Sequence, residues 1–282
     1  FYKSDSIFVI NCDSHNIYDP KSDKPGNHGD GFMAWDNGAV EDTSKAVFFK
    51  GCRAWNCSDD GFDTQIEGLL VFDSCWAWSN GYLEYGNGSG IKWGYPDVQT
   101  YSLKRVMKNC IMAYNSAAGL STNDQAFNYV KYQNVFNNIS YSNGYGFGIF
   151  NTNVSDEYEL KRVFRNNIVY DSKIKNLNIN KDVEYTHSHN SWDLNIGIND
   201  ADFQSIDSSE LRATRKSNGS LPDIDFLKLS NNSGLIDAGI DVNLAYNGTA
   251  PDLGAWEREK NSNNNYYPSV KITSPSRNTI YG

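Results

Sequence analysis

The chain has 282 residues, of which 39% are hydrophobic and 14% aromatic, a composition that is typical of a folded domain and excludes extended disorder. Its 34 acidic and 25 basic residues give a formal net charge of -9, which argues against nucleic acid as a partner. The same charge would repel an acidic ligand unless a cation were supplied. No apolar run reaches the roughly 18 residues of a membrane span.

Two short sequence markers repeat along the first two thirds of the chain. One is a small or amide residue followed by Cys or Asn, an apolar segment and a polar turn residue, usually Asn. Its copies begin at Asn11, Gly51, Ser74, Asn109, Asn137 and Asn166. The other is a glycine followed by an apolar residue, and its spacings are 30, 29, 29 and 27 residues. Its copies are Gly31, Gly61, Gly90, Gly119 and Gly146.

Short β-rich segments between Gly and Asn turns, repeated at nearly constant spacing, predict a parallel β-helix. Long windows lack helical periodicity, which excludes leucine-rich and ankyrin-type repeats. We expect the coils to stack about 4.8 Å apart, with Gly61, Gly90 and Gly119 in one row. The turn asparagines should form a ladder of amide hydrogen bonds. Its expected members are Asn16, Asn56, Asn80, Asn115 and Asn143.

Insertions and the two ends depart from this repeat. Pro20–Asn27 and Leu83–Gly88 lengthen two repeats and are predicted to be loops at one edge of the coil. The repeat weakens beyond about residue 172, and Leu221–Glu257 is predicted to close the end of the coil. The first residues already read as a coil, so we expect an N-terminal cap and further native sequence to be missing.

The predicted domain organisation has three parts. Residues 1–258 form the β-helix, and residues 259–268 are an Asn-rich linker by composition. Residues 269–282 read as the start of a truncated immunoglobulin-like module.

The densest acidic cluster of the sequence comprises Asp59, Asp60 and Asp63. When coils are aligned on the glycine marker, Asp30 lies one coil before Asp60, and Lys92 lies one coil after Asp63. Several carboxylates on one flank are what Ca²⁺ requires, because it takes about 6–8 oxygen ligands. The alternative is that these Asp-Gly sequences are ordinary turns and that Lys92 is a solvated surface lysine.

Five segments together resemble polysaccharide lyase family 9: Gly29–Phe32, Gly51–Asp63, Gly88–Lys92, Ile236–Gly239 and Pro251–Glu257. Members of that family are right-handed parallel β-helix lyases that cleave pectate, and some relatives cleave rhamnogalacturonan. The resemblance covers residues 1–258 and implies an all-β, right-handed parallel β-helix (a solenoid) with inserted loops and a C-terminal cap.

The resemblance also implies a site and a partner. Lys92 matches the family's Brønsted base, and Asp30, Asp59, Asp60 and Asp63 match its Ca²⁺ ligands. The implied partner is an acidic plant cell-wall polysaccharide, with neither nucleic acid nor a membrane span involved. The resemblance further implies a monomer that is secreted, periplasmic or at the cell surface.

The residues themselves are suited to that chemistry. A polyuronate lyase removes the C5 proton, which is α to a carboxylate, and expels the sugar linked at C4. Ca²⁺ on that carboxylate acts as a Lewis acid, and a neutral lysine accepts the proton. Because a protonated lysine cannot act as a base, we expect activity to rise with pH.

Two other classes of function remain open from the sequence. A β-helix polygalacturonase-type hydrolase would use Asp59 and Asp60 as its acidic pair with water, although its Gly-His-Gly and Arg-Ile-Lys motifs are missing. A non-catalytic carbohydrate-binding β-helix would use Trp55, Trp76 and Trp78 as sugar platforms, although these side chains suit core packing equally well.

Three basic residues are candidates for binding substrate carboxylates: Arg53, Lys104 and Arg105. Solvated positions at strand edges are the alternative for all three. Trp93, directly after the lysine, and the run Asn123-Asp124-Gln125 depart from the family's usual pattern.

Overall fold

The computed structural model describes residues 6–35, 46–66, 69–94, 104–122, 132–149, 161–179 and 185–259. Across these ranges the chain consists of β-strands and turns, with two short 3₁₀ helices at Asp200–Asp202 and Ser208–Arg212. In the same ranges no helix has the length and apolarity that crossing a membrane requires.

The strands form three sheets, to which successive coils contribute in turn. The first sheet contains β1 (Ser6–Ile10), β4 (Ala46–Lys50), β7 (Leu69–Asp73), β10 (Lys104–Lys108), β13 (Tyr132–Phe136), β16 (Lys161–Arg165) and β19 (Thr186–Ser188). The second contains β2 (Asp13–His15), β5 (Arg53–Trp55), β8 (Trp76–Trp78), β11 (Ile111–Ala113), β14 (Ile139–Tyr141) and β17 (Ile168–Tyr170). The third contains β3 (Phe32–Trp35), β6 (Phe62–Gln65), β9 (Ile91–Gly94), β12 (Ala118–Thr122), β15 (Tyr145–Ile149) and β18 (Lys175–Ile179).

Each strand pairs in parallel with its counterpart on the next coil, which confirms the predicted parallel β-helix. The predicted glycine row is also confirmed, because the residues that follow these glycines are partners in the third sheet. A Cβ on Gly61 would lie 2.6 Å from the Gly90 carbonyl oxygen. The coils therefore approach too closely at this row for a larger residue.

The turns between the sheets explain the recurring Asn and Ser of the first marker. Asn11, Ser74, Asn109, Asn137 and Asn166 follow strands of the first sheet and have left-handed backbone with φ between 54° and 58°. Asn tolerates this conformation better than most residues with a Cβ. The marker therefore identifies one corner of the coil.

A buried asparagine ladder exists, but with fewer of the expected members. Asn80 Nδ2 donates to Asn115 Oδ1, and Asn115 Nδ2 donates to Asn143 Oδ1, each at 2.9 Å. The prediction was wrong for the link between Asn56 and Asn80, because Asn56 lies one residue earlier in its coil, in the left-handed turn, and Asn80 Oδ1 accepts from the Cys57 N–H. The predicted bond between Asn16 and Asn56 is present, since Asn56 Nδ2 donates to Asn16 Oδ1 at 2.5 Å on the exposed side of the turn.

A second ladder was missed in the sequence. Asn138 Nδ2 donates to Asn167 Oδ1 at 2.9 Å, and Asn167 Nδ2 donates to Asn190 Oδ1 at 2.7 Å. All three residues are fully buried. The Asn-Asn pairs at 137–138 and 166–167 were its signal, since the first Asn takes the left-handed turn and the second bonds the next coil.

The interior of the coil is filled by stacked apolar side chains. Phe49 stacks on Phe72 with ring centroids 5.2 Å apart, and Phe32 stacks on Phe62 at 5.0 Å. Trp93 is fully buried in the same core, so its large side chain points away from the outer face of the third sheet. This packing sets the outward direction of its neighbour Lys92.

Most of the C-terminal segment covers the second sheet, whereas it was expected to close the end of the coil. Leu221–Glu257 was predicted to close the end of the coil, and Gly239 and Gly254 do contact the last coils through Asn166. Most of its apolar residues instead pack on the outer face of the second sheet, around Trp76 and Ile111. The outward residues of that sheet are apolar and need this cover, which explains the difference.

Two expectations fall outside the described residues. The linker and the immunoglobulin-like module lie there apart from residue 259, and so does the run Asn123-Asp124-Gln125.

Candidate metal and catalytic site

The predicted site residues meet where the turns enter the third sheet. Asp30 precedes β3, Asp59 and Asp60 precede β6, and Asp63 lies within β6. Lys92 lies in β9 and is the register partner of Asp63 on the next coil. The alignment on glycines therefore placed these residues correctly relative to one another.

Three of the carboxylates form a compact group. Asp30, Asp59 and Asp60 each offer an oxygen that lies within 4.8 Å of the others. Asp60 is fully buried and Asp59 is 2% exposed, whereas Asp30 is half-buried. Asp63 lies beside this group, facing the lysine.

Backbone amides orient the carboxylates. The Asp60 N–H donates to Asp30 Oδ1 at 3.1 Å, and the Ser89 N–H donates to Asp60 Oδ1 at 2.6 Å. The Asn87 N–H donates to Asp59 Oδ1. In each of these carboxylates, one oxygen thus accepts a backbone hydrogen bond, and the second oxygen can interact with another group.

The lysine amine lies between two carboxylates of adjacent coils. Lys92 Nζ is 3.1 Å from Asp60 Oδ2 and 3.5 Å from Asp63 Oδ2, and its side chain is 8% exposed. Tertiary structure therefore fixes the amine at the edge of the carboxylate group rather than leaving it in solvent.

Burial and mutual repulsion shift the acid–base equilibria of the group. The pKa of Asp30 is raised to about 8, mainly by burial and further by the neighbouring carboxylates. Burial likewise raises the pKa of Asp60 to about 7, against the lowering effect of Lys92. Burial also raises the pKa of Asp59. The ionised cluster is costly without a compensating cation.

The donor set suits a hard divalent cation. Among the described residues, four carboxylates face one ammonium group here, so these groups carry a net negative charge when all of them are ionised. Asp60 Oδ2 is buried and accepts no hydrogen bond from any described residue, although Lys92 Nζ lies 3.1 Å away. A buried carboxylate oxygen in this state is a ready cation ligand.

The inserted loops contribute to the site, which the sequence did not reveal. Leu83–Gly88 folds back so that a Cβ on Gly86 would lie 2.0 Å from the Ser58 carbonyl oxygen. The Asp19 N–H, next to the other insertion, donates to Ser58 Oγ at 3.3 Å. The position of the two insertions in the sequence could have indicated this role, since both end directly before the turns that carry the site.

The structure does not bring Arg53 to this site. Its guanidinium binds Asp13 through Nε and Nη2 at 2.9 and 2.6 Å, and its Nη1 donates to the Leu211 and Ala213 carbonyl oxygens. Arg53 is 4% exposed and lies on the second sheet under the segment that contains Leu211 and Ala213. It ties that segment to the coil.

Lys104 and Arg105 lie on the first sheet. Lys104 is exposed, whereas Arg105 is fully buried inside the coil and donates to the Gly94 carbonyl oxygen at 2.9 Å and to that of Ile66. Burial lowers the pKa of Arg105 to about 9. In the contacts that the structure describes, Arg105 binds backbone carbonyl oxygens inside the coil and does not present its charge at the surface.

The tryptophans considered as sugar platforms are mostly covered. Trp76 and Trp78 are 1% and 2% exposed, and Trp76 packs edge-on against Trp256 of the C-terminal segment. Trp55 is half-buried and stacks on Trp78 with ring centroids 4.6 Å apart. The platform interpretation is therefore wrong for Trp76 and Trp78.

Comparison with known proteins identifies the family. The model of the Pel9A-like, right handed beta helix region matches residues 2–167, more than half of the chain. The chain belongs to this family. The resemblance to polysaccharide lyase family 9 is thereby confirmed, and so is the right-handed β-helix.

Individual relatives agree with that placement. Pectate lyase L of Dickeya dadantii (strain 3937) is 36% identical over 258 residues, covering 89% of this chain and 55% of its own length. Pectate lyase PEL9 of Emericella nidulans is 24% identical over 250 residues, covering 80% of this chain and 56% of its own length. The chain thus spans about half the length of the curated relatives it matches.

Two solved structures share the fold. The crystal structure of pectate lyase Pel9A superposes with a TM-score of 0.65 at 28% identity, covering 92% of this chain and 64% of that one. A rhamnogalacturonan lyase superposes with a TM-score of 0.57 at 27% identity, covering 80% of this chain and 60% of that one.

Proposed function

We propose that this protein is a polysaccharide lyase that cleaves a uronate-containing pectic polymer, polygalacturonate or the rhamnogalacturonan backbone, by β-elimination. The observation that carries the proposal is the position of Lys92 Nζ, 3.1 Å from Asp60 Oδ2 at the edge of a buried carboxylate group. The pectate lyases and the rhamnogalacturonan lyase among its relatives support the same reaction class.

Asp30, Asp59 and Asp60 would hold Ca²⁺, with Asp63 beside them. The bound ion supplies a Lewis acid that neutralises the substrate carboxylate and stabilises the charge that develops next to it. The backbone N–H groups of Ser89 and Asn87 hold the carboxylates of Asp60 and Asp59 in place, so these two residues would offer the ion preorganised ligands.

Lys92 acts as the base in this proposal. Its neutral amine takes the C5 proton, the C–H electron pair forms the double bond between C4 and C5, and the C4–O bond breaks with the leaving sugar. Asp60 and Asp63 position the amine, because both are within ion-pair distance of Nζ. The reaction consumes no water.

The hydrolase alternative is less well supported by the geometry. A hydrolase of this type needs one carboxyl group to protonate the leaving sugar and another to activate water. Oxygens of Asp59 and Asp60 lie within 4.8 Å of each other, and both residues are buried and bonded to backbone N–H groups. They are arranged as a ligand pair rather than on two sides of a bond.

The polymer is a plant cell-wall component outside the cell that degrades it. We therefore propose that the protein is secreted, periplasmic or at the cell surface. We also propose that it acts as a monomer.

The test is incubation of the protein with polygalacturonate and with rhamnogalacturonan backbone, with Ca²⁺ and with a chelator. A lyase gives an unsaturated product with ultraviolet absorbance in the presence of Ca²⁺. New reducing ends without that absorbance indicate a hydrolase and contradict the proposal. Binding without any cleavage indicates a carbohydrate-binding protein and contradicts it as well.

A further inference from the structure

A cavity of about 420 Å³ lies at the last coil, at the corner between the second and third sheets. One side is formed by β17, the turn that follows it and the start of β18, and the other side by the segment from Ser191 to Ile198. This volume is within the range of pockets that bind small ligands. None of the candidate metal and catalytic residues lines the cavity.

The wall of the cavity is apolar and firmly attached to the coil. Trp192 packs edge-on against Phe147 of the core, with ring centroids 5.9 Å apart. Ser191 Oγ accepts from the Val169 N–H at 2.9 Å, which ties the segment to β17. The cavity is therefore preformed rather than dependent on a ligand. Its apolar lining residues are Val169, Trp192, Ile196 and Ile198.

Polar groups lie among these apolar residues. Asp171 and Asn176 line the cavity and are exposed, so they lie at its opening. Ser172 Oγ and Trp192 Nε1 are buried and have no hydrogen-bond partner among the described residues. A buried donor without a partner costs free energy, so both groups favour a ligand or a water molecule that accepts a hydrogen bond.

We infer that this cavity is a second carbohydrate site, which binds a neutral sugar residue. The C–H face of a sugar ring packs on an indole ring, here that of Trp192. Sugar hydroxyl groups donate to the Asp171 carboxylate and accept from Ser172, whose hydroxyl can turn toward the ligand by rotation of its side chain. Aromatic, carboxylate and hydroxyl groups on one small cavity thus match the two faces of a sugar.

Other classes of ligand fit this cavity less well. Its described lining residues include one carboxylate and neither Lys nor Arg, so a uronate or a phosphate would meet Asp171 without a compensating charge. One carboxylate is too few for Ca²⁺, which takes about 6–8 oxygen ligands. A purely hydrocarbon ligand would leave Ser172 Oγ and Trp192 Nε1 without partners.

The cavity is well separated from the candidate metal and catalytic site. Lys92 lies in β9 and Asn176 in β18, and the pairing of β9 with β12, β12 with β15 and β15 with β18 puts them three coils apart. At about 4.8 Å per coil, this is about 14 Å along the axis. Binding of a sugar here would therefore be independent of the proposed reaction.

The experiment is isothermal calorimetry of the full chain with galactobiose, arabinobiose and xylobiose as neutral probes and digalacturonate as the acidic comparison. We expect at least one neutral probe to bind with a millimolar Kd. Ile198→Trp should abolish this binding, because the indole fills the cavity. Ile206→Trp is the matched control, since Ile206 is 36% exposed and does not line the cavity.

A second variant keeps the test decisive if Ile198→Trp does not fold, which thermal unfolding would show. Asp171 has left-handed backbone with φ of 55°, which Asn also tolerates, so Asp171→Asn should fold and weaken binding about tenfold. The site is overturned if no neutral probe binds, or if neither variant weakens the binding. Loss of digalacturonate binding in Ile198→Trp would show that the cavity takes an acidic sugar and would overturn the assignment of a neutral one.

Discussion

Lys92 Nζ lies 3.1 Å from Asp60 Oδ2, and the two residues come from adjacent coils, 32 positions apart in the chain. Asp60 is fully buried and its other oxygen is held by the Ser89 N–H. The amine thus lies against the Asp60 carboxylate, which is also a candidate ligand of a metal cation. In the proposed mechanism, proton transfer to Lys92 and cation binding at Asp60 would therefore be coupled.

Asp60→Asn should abolish Ca²⁺ binding, because the substitution removes a buried anionic oxygen from a site with few alternatives. Isothermal calorimetry with Ca²⁺ measures the loss. Asp223→Asn is the control, since its exposed carboxylate pairs with Lys228 far from the third sheet. Unchanged Ca²⁺ affinity in Asp60→Asn would show that the ion binds elsewhere.

The metal-free protein should lose stability as pH rises from about 5 to 8. Burial raises the pKa of Asp30 to about 8 and that of Asp60 to about 7, whereas an unfolded Asp titrates near 3.9. Over this range the folded state binds more protons than the unfolded state, so deprotonation favours unfolding. Thermal unfolding in a chelator measures the trend.

Asp60→Asn should flatten that dependence, and Ca²⁺ should raise the melting temperature more at pH 8 than at pH 6, because protons compete with the ion. A metal-free melting temperature that climbs steadily between pH 5 and 8 would be inconsistent with the raised pKa values of the cluster.

Asn115→Ala should destabilise the coil by about 2–4 kcal/mol, because it leaves buried partners of the ladder without their hydrogen bonds. Asn115 accepts from Asn80 and donates to Asn143 and to the Ala77 carbonyl oxygen. Asn16→Ala is the control, since its amide is exposed and should matter little. Denaturant unfolding compares the two, and equal losses would argue against the ladder as a stabilising element.

Arg53→Ala should lower stability by about 2 kcal/mol without changing KM, because its contacts hold the segment around Leu211 and Ala213 against the second sheet. Denaturant unfolding and steady-state kinetics on the same preparation separate the two effects. A raised KM at unchanged stability would restore Arg53 as a substrate-binding residue.

The fold was predictable because each coil repeats the same two local requirements. Gly61 and Gly90 mark a close approach between coils, and Asn109 and Asn137 mark left-handed turns, so their spacing reports the stacking directly. The alignment that follows placed Asp63 opposite Lys92 without any structure.

Other features depended on contacts that spacing does not encode. Arg53 looks like a strand-edge cation in the sequence, and only the distant Leu211 and Ala213 carbonyl oxygens reveal its structural role. The path of Leu221–Glu257 over the second sheet likewise reflects apolar area on Trp76 and its neighbours rather than a local pattern.

The most direct test of the account is the turnover of Lys92→Arg on the preferred polymer with saturating Ca²⁺, followed by the ultraviolet absorbance of the unsaturated product. Guanidinium keeps the charge but stays protonated, so we expect a loss of at least about a hundredfold in kcat with Ca²⁺ binding retained. Lys108→Arg, at a surface ion pair with Asp73, should keep full activity as the control. Near-wild-type turnover of Lys92→Arg with an unchanged pH profile would contradict the assignment of this lysine as the base.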